Sequence, residues 1–362
     1  MEASGLDALV VASPENTFYL SGSFIRTQVS IRDRLAIVLW PRGAEPTYIV
    51  CDIEETLAES QTWVKDLRVY VEHAQSPIEK LIDVLQQRGL NADTKRIGVE
   101  ERFLTAEYYN ELVENSRAMI VRADELIEGV RAIKTPGEIR RLEDAFRRTD
   151  EAIRAAWTSS RAGDTEAEVA KRMIDELSRR GAETVRHISC NSGPNTITSH
   201  RAPGNRRLQP GDTVVSDFGG NWGGFNSDIA RVGMVGEPDG IVRDEYARYR
   251  QAYVSQLLSF APGKTAADVF NDSKRAFKAA GLELPGPHVG HSLSRGGGHE
   301  NPVLHPGNHQ QLEPNMLIAY EPVSIVDGQR KYHLEDLVLI TDSGCRILTD
   351  WELTAEMIRI PG

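Results

Sequence analysis

The sequence predicts an α/β domain over residues 1–125 followed by an α+β domain over residues 126–362. In the first stretch, short β-branched runs alternate with amphipathic helical segments, the pattern of a sheet covered by helices. In the second, capped helices precede two hairpins with glycine-bearing turns. A chain of 362 residues is long enough to give both domains a substantial core.

Taken in order, Leu6 to Ser13, Leu35 to Trp40 and Pro46 to Asp52 are apolar or alternating runs and read as strands. Pro77 to Leu90 reads as a helix, because Ile78, Leu81, Ile82, Val84 and Leu85 form one broad apolar face. Arg96 to Glu100 is a further strand, Thr105 to Arg117 a helix and Met119 to Arg122 a strand. The second domain opens at Thr135-Pro136-Gly137-Glu138, where Thr135 caps, Pro136 takes the first helical position and Glu138 completes a capping box. Ile139, Leu142, Phe146, Ile153 and Trp157 then recur on one helix face. Thr165 with Glu168 and Thr265 with Asp268 repeat the start signal ahead of two more helices.

The first hairpin is Gly211 to Arg231, GDTVVSDFGGNWGGFNSDIAR. A turn centred on Trp222 and Gly223 pairs Asp217 with Asp228, on one face of the ladder. Like charges so placed repel, so something positive is expected between them. The second hairpin, Asn315 to Ser343, turns at Asp327-Gly328 and carries Glu321 and Glu335 on its arms. A two-residue turn would pair Glu321 with Leu334, so a one-residue bulge is required to bring the two glutamates to one face. Between the hairpins lie His288, His291, His299, His305 and His309. Four carboxylates with imidazole form an oxygen-rich ligand set that suits Mn²⁺, Co²⁺ or Fe²⁺ better than a thiolate-bound structural zinc. His73 and His187 read as core or surface histidines with satisfied hydrogen bonds. Ser292, in Gly290-His291-Ser292-Leu293-Ser294, lacks the last glycine of a nucleophile elbow and reads as a neighbour of the site. The glycine patches GGNWGG and RGGGHE lack the strand and helix context of a phosphate loop.

The order Asp217, Asp228, His291, Glu321, Glu335 resembles the five-ligand dinuclear site of the pita-bread metallopeptidases, which include prolidase, aminopeptidase P and methionine aminopeptidase. The resemblance covers nearly the whole chain, and its first domain resembles the creatinase-type N-terminal domain. It implies two divalent metal ions, Mn²⁺ first and Co²⁺, Fe²⁺ or Zn²⁺ after it. Asp228 and Glu335 would bridge both ions, Asp217 would hold one, and His291 and Glu321 the other. Glu321 would also move the proton from water to the leaving nitrogen. His200 and His299 resemble the family's substrate-side histidines and would donate hydrogen bonds to the tetrahedral intermediate. The implied activity is hydrolysis of a small peptide or small amide, foremost an Xaa-Pro bond, by a homodimer.

Departures from the family pattern fall on the substrate side. Where prolidases have RxED, this chain has His333-Leu334-Glu335-Asp336, and histidine cannot form the bidentate fork of arginine. Phe225 stands where the family has tyrosine, which removes a polar contact at the site mouth. The inserted Gly296 to Gly298 should loosen or reshape the loop that carries His299, and Arg201, Arg206 or Arg295 are candidate substitute anion binders. A small-molecule enzyme on the same site, an ectoine-type ring hydrolase or a dimethylsulfoniopropionate-type lyase, is the alternative.

Composition narrows the partners. A net charge of −11 argues against nucleic acid and anionic membranes. Cys51, Cys190 and Cys345 are far apart and form no disulfide framework, which fits a reducing compartment. The N-terminus lacks a basic region and no apolar run reaches the length of a membrane span, so a cytoplasmic setting is expected.

Overall fold

A computed structural model describes residues 1–31 and 33–362. By its internal contacts the chain divides into Met1–Val130 and Arg131–Gly362. The first unit contains β1 (Ala8–Val11), α1 (Pro14–Ser21), α2 (Arg26–Ser30), β2 (Ile37–Pro41), β3 (Thr47–Cys51) and α3 (Glu55–Gln61). It continues with β4 (Asp66–Tyr70), α4 (Pro77–Gln87), β5 (Arg96–Val99), α5 (Ala106–Asn115) and β6 (Met119–Arg122). The division falls within α6 (Asp124–Ala132).

Its six strands form one mixed sheet in the order β4-β3-β2-β1-β5-β6. Side chains alternate across that sheet. Ala8 and Val10 join Leu81 and Leu85 of α4 in one core, while Leu9 and Val11 join Tyr48 and Ala58 in another. Strand β4, Asp-Leu-Arg-Val-Tyr, completes the edge and went unread in the sequence although its polar and apolar residues alternate.

The second unit opens with α7 (Pro136–Thr158), α8 (Glu166–Arg179), β7 (Thr184–Ser192), β8 (Thr213–Trp222), β9 (Phe225–Asn226) and β10 (Ile229–Val235). It goes on with α9 (Gly240–Leu257), α10 (Ala266–Ala279), β11 (Gly290–Ser292), β12 (Leu317–Tyr320), β13 (Val323–Val326) and β14 (Arg330–His333). Strands β15 (Asp336–Ile340), β16 (Cys345–Ile347) and β17 (Ile358–Ile360) close the chain. All three expected capping boxes form, at Thr135, Thr165 and Thr265.

Helix pairs and hairpins repeat across this unit. The pair α7–α8 leads into the sheet β17-β10-β8-β7, and the pair α9–α10 into the sheet β11-β12-β15-β16. Matching single bridges, Thr165 to Arg207 and Thr265 to Gln311, tie the N-cap of the second helix of each pair to the loop before each hairpin. Phe146, Trp157, Leu177 and Phe218 fill one core; Tyr249, Tyr253, Phe277 and Tyr320 fill the other. Phe225 is buried in the first of these cores, with Arg141 stacked over its ring. It packs in the core of the fold, where the expectation had placed it at the site mouth. Among the described residues no helix is long and apolar enough to cross a membrane.

Candidate metal centre

Each acid of the proposed ligand set except Asp217 sits where a ladder of backbone hydrogen bonds is interrupted. Asp217 lies within β8, and Asp228 in the gap between β9 and β10. The turn of this hairpin is Gly223-Gly224, with φ of 59° and 87°, so Trp222 pairs with Phe225 and Asp217 with Ala230. Positive φ at both central residues is the primed turn that matches strand twist. The expected Asp217 to Asp228 pairing is thus corrected by two residues. A two-residue shift keeps the face, so the two aspartates remain diagonal neighbours on the same side of the sheet.

Glu321 follows β12 and Glu335 precedes β15, between the ladder β12/β15 and the ladder β13/β14. Asp327 (φ 51°) and Gly328 (φ 64°) form the turn, and Gln329 is the extra residue that restores the register of the two glutamates. The Glu335 backbone N–H donates to the Ala230 carbonyl at 3.1 Å, which joins the second hairpin to the first. His291 on β11 has its Nδ1 3.0 Å from the Ser292 carbonyl. A proton on Nδ1 leaves Nε2 facing the acids, 3.3 Å from Glu321 Oε1 and 3.8 Å from Asp228 Oδ2. Asp228, His291 and Glu335 converge closely enough to share one ion, as do Glu321, His333 and Glu335.

Electrostatics separate these acids. Glu335 is fully buried, and burial, then Asp228, Glu321 and Asp217, push its pKa well above the usual carboxylate range. Neither of its oxygens has a hydrogen-bond partner among the described residues. Burial also works against ionised Glu321 and Asp228, but histidines outweigh it. His291 and His333 hold Glu321 well below its ordinary value, and His187 with His291 and Arg186 does the same for Asp228.

The two histidines expected on the substrate side part company. His299, open to solvent on one side, stacks on His291 with ring centroids 4.1 Å apart and lies 5.3 Å from His288. Burial of the rest of its ring, then the charges of His291 and His288, bring its pKa down to about 4. His200 is exposed in the loop before β8, in a left-handed conformation with φ of 56°. None of the described hydrogen bonds or ion pairs of the acid cluster involves it.

Sequence reasoning missed three basic groups here, His187, Arg186 and Lys331, and gave no role to a fourth, His288. His187, taken as an ordinary histidine, has Nε2 2.7 Å from Asp217 Oδ1 and 3.0 Å from Asp228 Oδ1. Burial opposes its charge, yet Asp228 and Asp217 raise its pKa to about 10. Arg186 Nη1 reaches Asp228 Oδ2 at 2.7 Å. His288 Nδ1 lies 3.6 Å from Glu321 Oε1. Lys331 is buried on the same face of β14 as His333; burial lowers its pKa, and the charges of Asp217 and Glu321 counter that shift. The signal that could have found His187 was the expectation of a positive group between Asp217 and Asp228. Loop chemistry also differs from expectation. Gly298 lies against the Arg186 guanidinium, and any side chain there would displace it, so this glycine permits close packing. Arg206, a candidate anion binder, is held by both oxygens of Asp212 at 2.6 and 2.9 Å.

Residues 140–342 match the model of metallopeptidase family M24, and residues 1–133 that of the creatinase/prolidase N-terminal domain. The Xaa-Pro dipeptidase of Pyrococcus furiosus is 27% identical over 356 residues, covering 97% of this chain and 96% of that protein. Among solved structures, dipeptidase PepE from Mycobacterium ulcerans superposes with a TM-score of 0.86 at 25% identity, over 100% of this chain and 95% of that one. Prolidase from Pyrococcus furiosus gives a TM-score of 0.80 at 26% identity, over 96% and 97%. The fold and the site define a metal-dependent hydrolase. This chain belongs to metallopeptidase family M24, with a creatinase/prolidase N-terminal domain before the catalytic one. Divalent metal ions are the cofactors that this family implies.

Proposed function

We propose that this chain is a dinuclear-metal hydrolase that cleaves the amide bond of a small Xaa-Pro-type peptide, with a pocket unlike that of an ordinary dipeptidase. Glu335 carries the metal reading: a fully buried carboxylate among three other acids with no hydrogen-bond donor among the described residues. Such a group is strongly disfavoured unless a cation joins it. Asp217, Asp228, His291, Glu321 and Glu335 form a donor set of four carboxylates and one imidazole. Their four negative charges match two divalent ions, and hard oxygen donors suit Mn²⁺, with Co²⁺, Fe²⁺ or Zn²⁺ as the other ions tested. When bound, the ions supply Lewis-acid activation of water and of the scissile carbonyl.

This chain's own residues perform the remaining steps. Glu321 takes the proton of the attacking water and passes it to the leaving nitrogen. His299, with its pKa near 4, is neutral at pH 7 and keeps one ring N–H to donate to the developing oxyanion. His200 enters as a second donor on the resemblance to the family. The pocket departs from an ordinary dipeptidase at His333, which is buried and 3.4 Å from Glu321 Oε2. A histidine so placed cannot grip the free carboxylate of a dipeptide as a guanidinium fork does.

The reading extends to a homodimer in the cytoplasm, and solution scattering that gives a monomer at micromolar concentration would remove the dimer. Metal analysis of protein prepared without chelator should find two ions per chain. Activity that is indifferent to chelators overturns the metal reading. For substrate, a panel of Xaa-Pro dipeptides, Xaa-Pro-Xaa tripeptides, ectoine and dimethylsulfoniopropionate is decisive. We expect kcat/KM on Ala-Pro below about 10⁴ M⁻¹s⁻¹, with tripeptides or a non-peptide amide turned over faster. A higher value on Ala-Pro restores the plain dipeptidase.

A further inference from the structure

We infer that His187 is a sixth protein ligand of this centre, adding an imidazole nitrogen on the Asp217 side to the one that His291 supplies. The inference rests on the dinuclear reading above and extends it by one residue. Its first support is a bulge in β7. Val185 pairs with Gly220 and His187 with Gly219, which leaves Arg186 without a partner on β8. In a regular strand Arg186 and His187 would point to opposite faces. The extra residue turns both toward one carboxylate, since Arg186 meets Asp228 Oδ2 at 2.7 Å and His187 meets Asp228 Oδ1 at 3.0 Å. Bulges re-aim side chains in this way beside active sites.

The second support is Gly219. It pairs with His187 on β7 and faces the Ser227 carbonyl on its other side, and a Cβ at this position would come within 2.3 Å of that carbonyl and 2.6 Å of the imidazole. Because Gly219 has no side chain, the ring extends across β8 and reaches Asp217 Oδ1 at 2.7 Å as well. Donor atoms of His187, Asp217 and Asp228 therefore converge on one place, and all three are groups that bind divalent cations. An imidazole on each ion shifts the preference of the pair away from Mn²⁺ toward Fe²⁺, Co²⁺ or Zn²⁺. The competing role is an imidazolium that only neutralises the two aspartates, which puts no nitrogen on the metal.

The test uses the full chain, stripped with chelator and reloaded with Co²⁺. Proton spectra of the Co²⁺ protein should contain two exchangeable, hyperfine-shifted imidazole N–H signals, one from His187 and one from His291. His187→Gln should remove one of them and weaken one of the two Co²⁺ ions by about 10-fold or more, with the other unchanged. A single shifted imidazole signal in the wild type, or wild-type Co²⁺ affinities in His187→Gln, overturns the inference; the wild-type spectrum decides even if the variant does not fold. Two bound ions with one imidazole signal defeat this inference alone, whereas a wild type that takes up no Co²⁺ defeats the dinuclear reading and this inference with it.

Discussion

Two clusters of buried acids lie back to back in the catalytic unit, and neighbouring residues in the sequence serve both. Asp336 belongs to one cluster and Glu335 to the other, because successive residues of an extended segment face opposite ways. On the Asp336 side, Arg231 Nε meets Asp150 Oδ1 at 2.6 Å and its Nη2 meets Asp336 Oδ1 at 2.9 Å. Tyr253 donates to Asp336 Oδ2 at 2.7 Å, Arg154 to Asp150 Oδ2 at 2.9 Å, and Arg231 Nη1 to the carbonyl of Glu335 at 2.7 Å. Each carboxylate oxygen there has a donor. Burial works against ionised Asp150, and Arg231 with Arg154 overcomes it and lowers its pKa. On the Glu335 side, an equally buried carboxylate has no donor among the described residues and a pKa driven up by burial and by like charges. Every carboxylate oxygen of the Asp336 cluster meets a donor, whereas in the other cluster Arg186 and His187 serve Asp228 and Asp217 and leave Glu335 without a donor among the described residues. Burial alone therefore does not distinguish them; donor satisfaction does.

The comparison breaks most visibly at Arg231. Arg231→Met leaves Asp336 buried without its cation and Asp150 with Arg154 alone, and urea denaturation at pH 7 should register a loss of about 3–5 kcal/mol. Adding Asp150→Asn and Asp336→Asn to that variant should recover much of the loss, since no buried charge is then stranded. A loss below about 1 kcal/mol for Arg231→Met would mean that the cluster is not a structural ion network.

On the functional side, Glu321→Gln should leave the urea midpoint nearly unchanged and lower turnover by about 10²-fold or more. Metal content measured in parallel separates loss of the base from loss of an ion. An unchanged turnover removes Glu321 from the proton path. His299→Ala should come next, at about 10-fold or more in turnover with metal content retained, because its ring stacks on His291 and, although it stands near Glu321, it lies outside the proposed five-ligand set. Loss of metal in that variant would instead make His299 a ligand.

The smallest effect sharpens the contrast by pH. Glu335 has a folded pKa above its unfolded value, so its contribution to stability is full below the ordinary carboxylate range and is lost as pH rises toward the raised folded value. Chelator-treated protein should therefore lose stability as pH rises above that range, by up to about 1.4 kcal/mol per pH unit. Glu335→Gln should flatten this dependence and be the more stable of the two metal-free proteins at pH 7. If both show the same pH profile in chelator, the strain is not at Glu335.

Much of this was legible in the residues. The capping boxes at Thr135, Thr165 and Thr265 are local, since each side chain bonds a backbone N–H only three residues on, so sequence suffices to find them. The bulge in the second hairpin followed from Asp327-Gly328 and the requirement that two glutamates share a face, and Gln329 supplies it. Residue type alone offered four carboxylates and a choice among five histidines, and the order of the five proposed ligands came from the resemblance to the family. Other features depended on contacts between segments far apart in the chain. The first turn lies at Gly223-Gly224 and not one residue earlier, because adjacent glycines allow several registers and the neighbouring strands choose among them. Whether Arg186 and His187 share a face depends on a bulge that no spacing in TVRHISCNS announces, and the bulge itself interrupts the alternation that would have marked β7. Phe225 in the core, Arg206 on Asp212 and Gly298 against Arg186 were likewise decided by neighbours more than local pattern. The sequence by itself thus determined which chemical groups this chain owns and where its helices begin, since those are properties of single residues and short windows. Only the tertiary structure decided which buried acids meet donors of the protein and that Glu335 meets none among the described residues, because that balance depends on distances across strands that are distant in sequence.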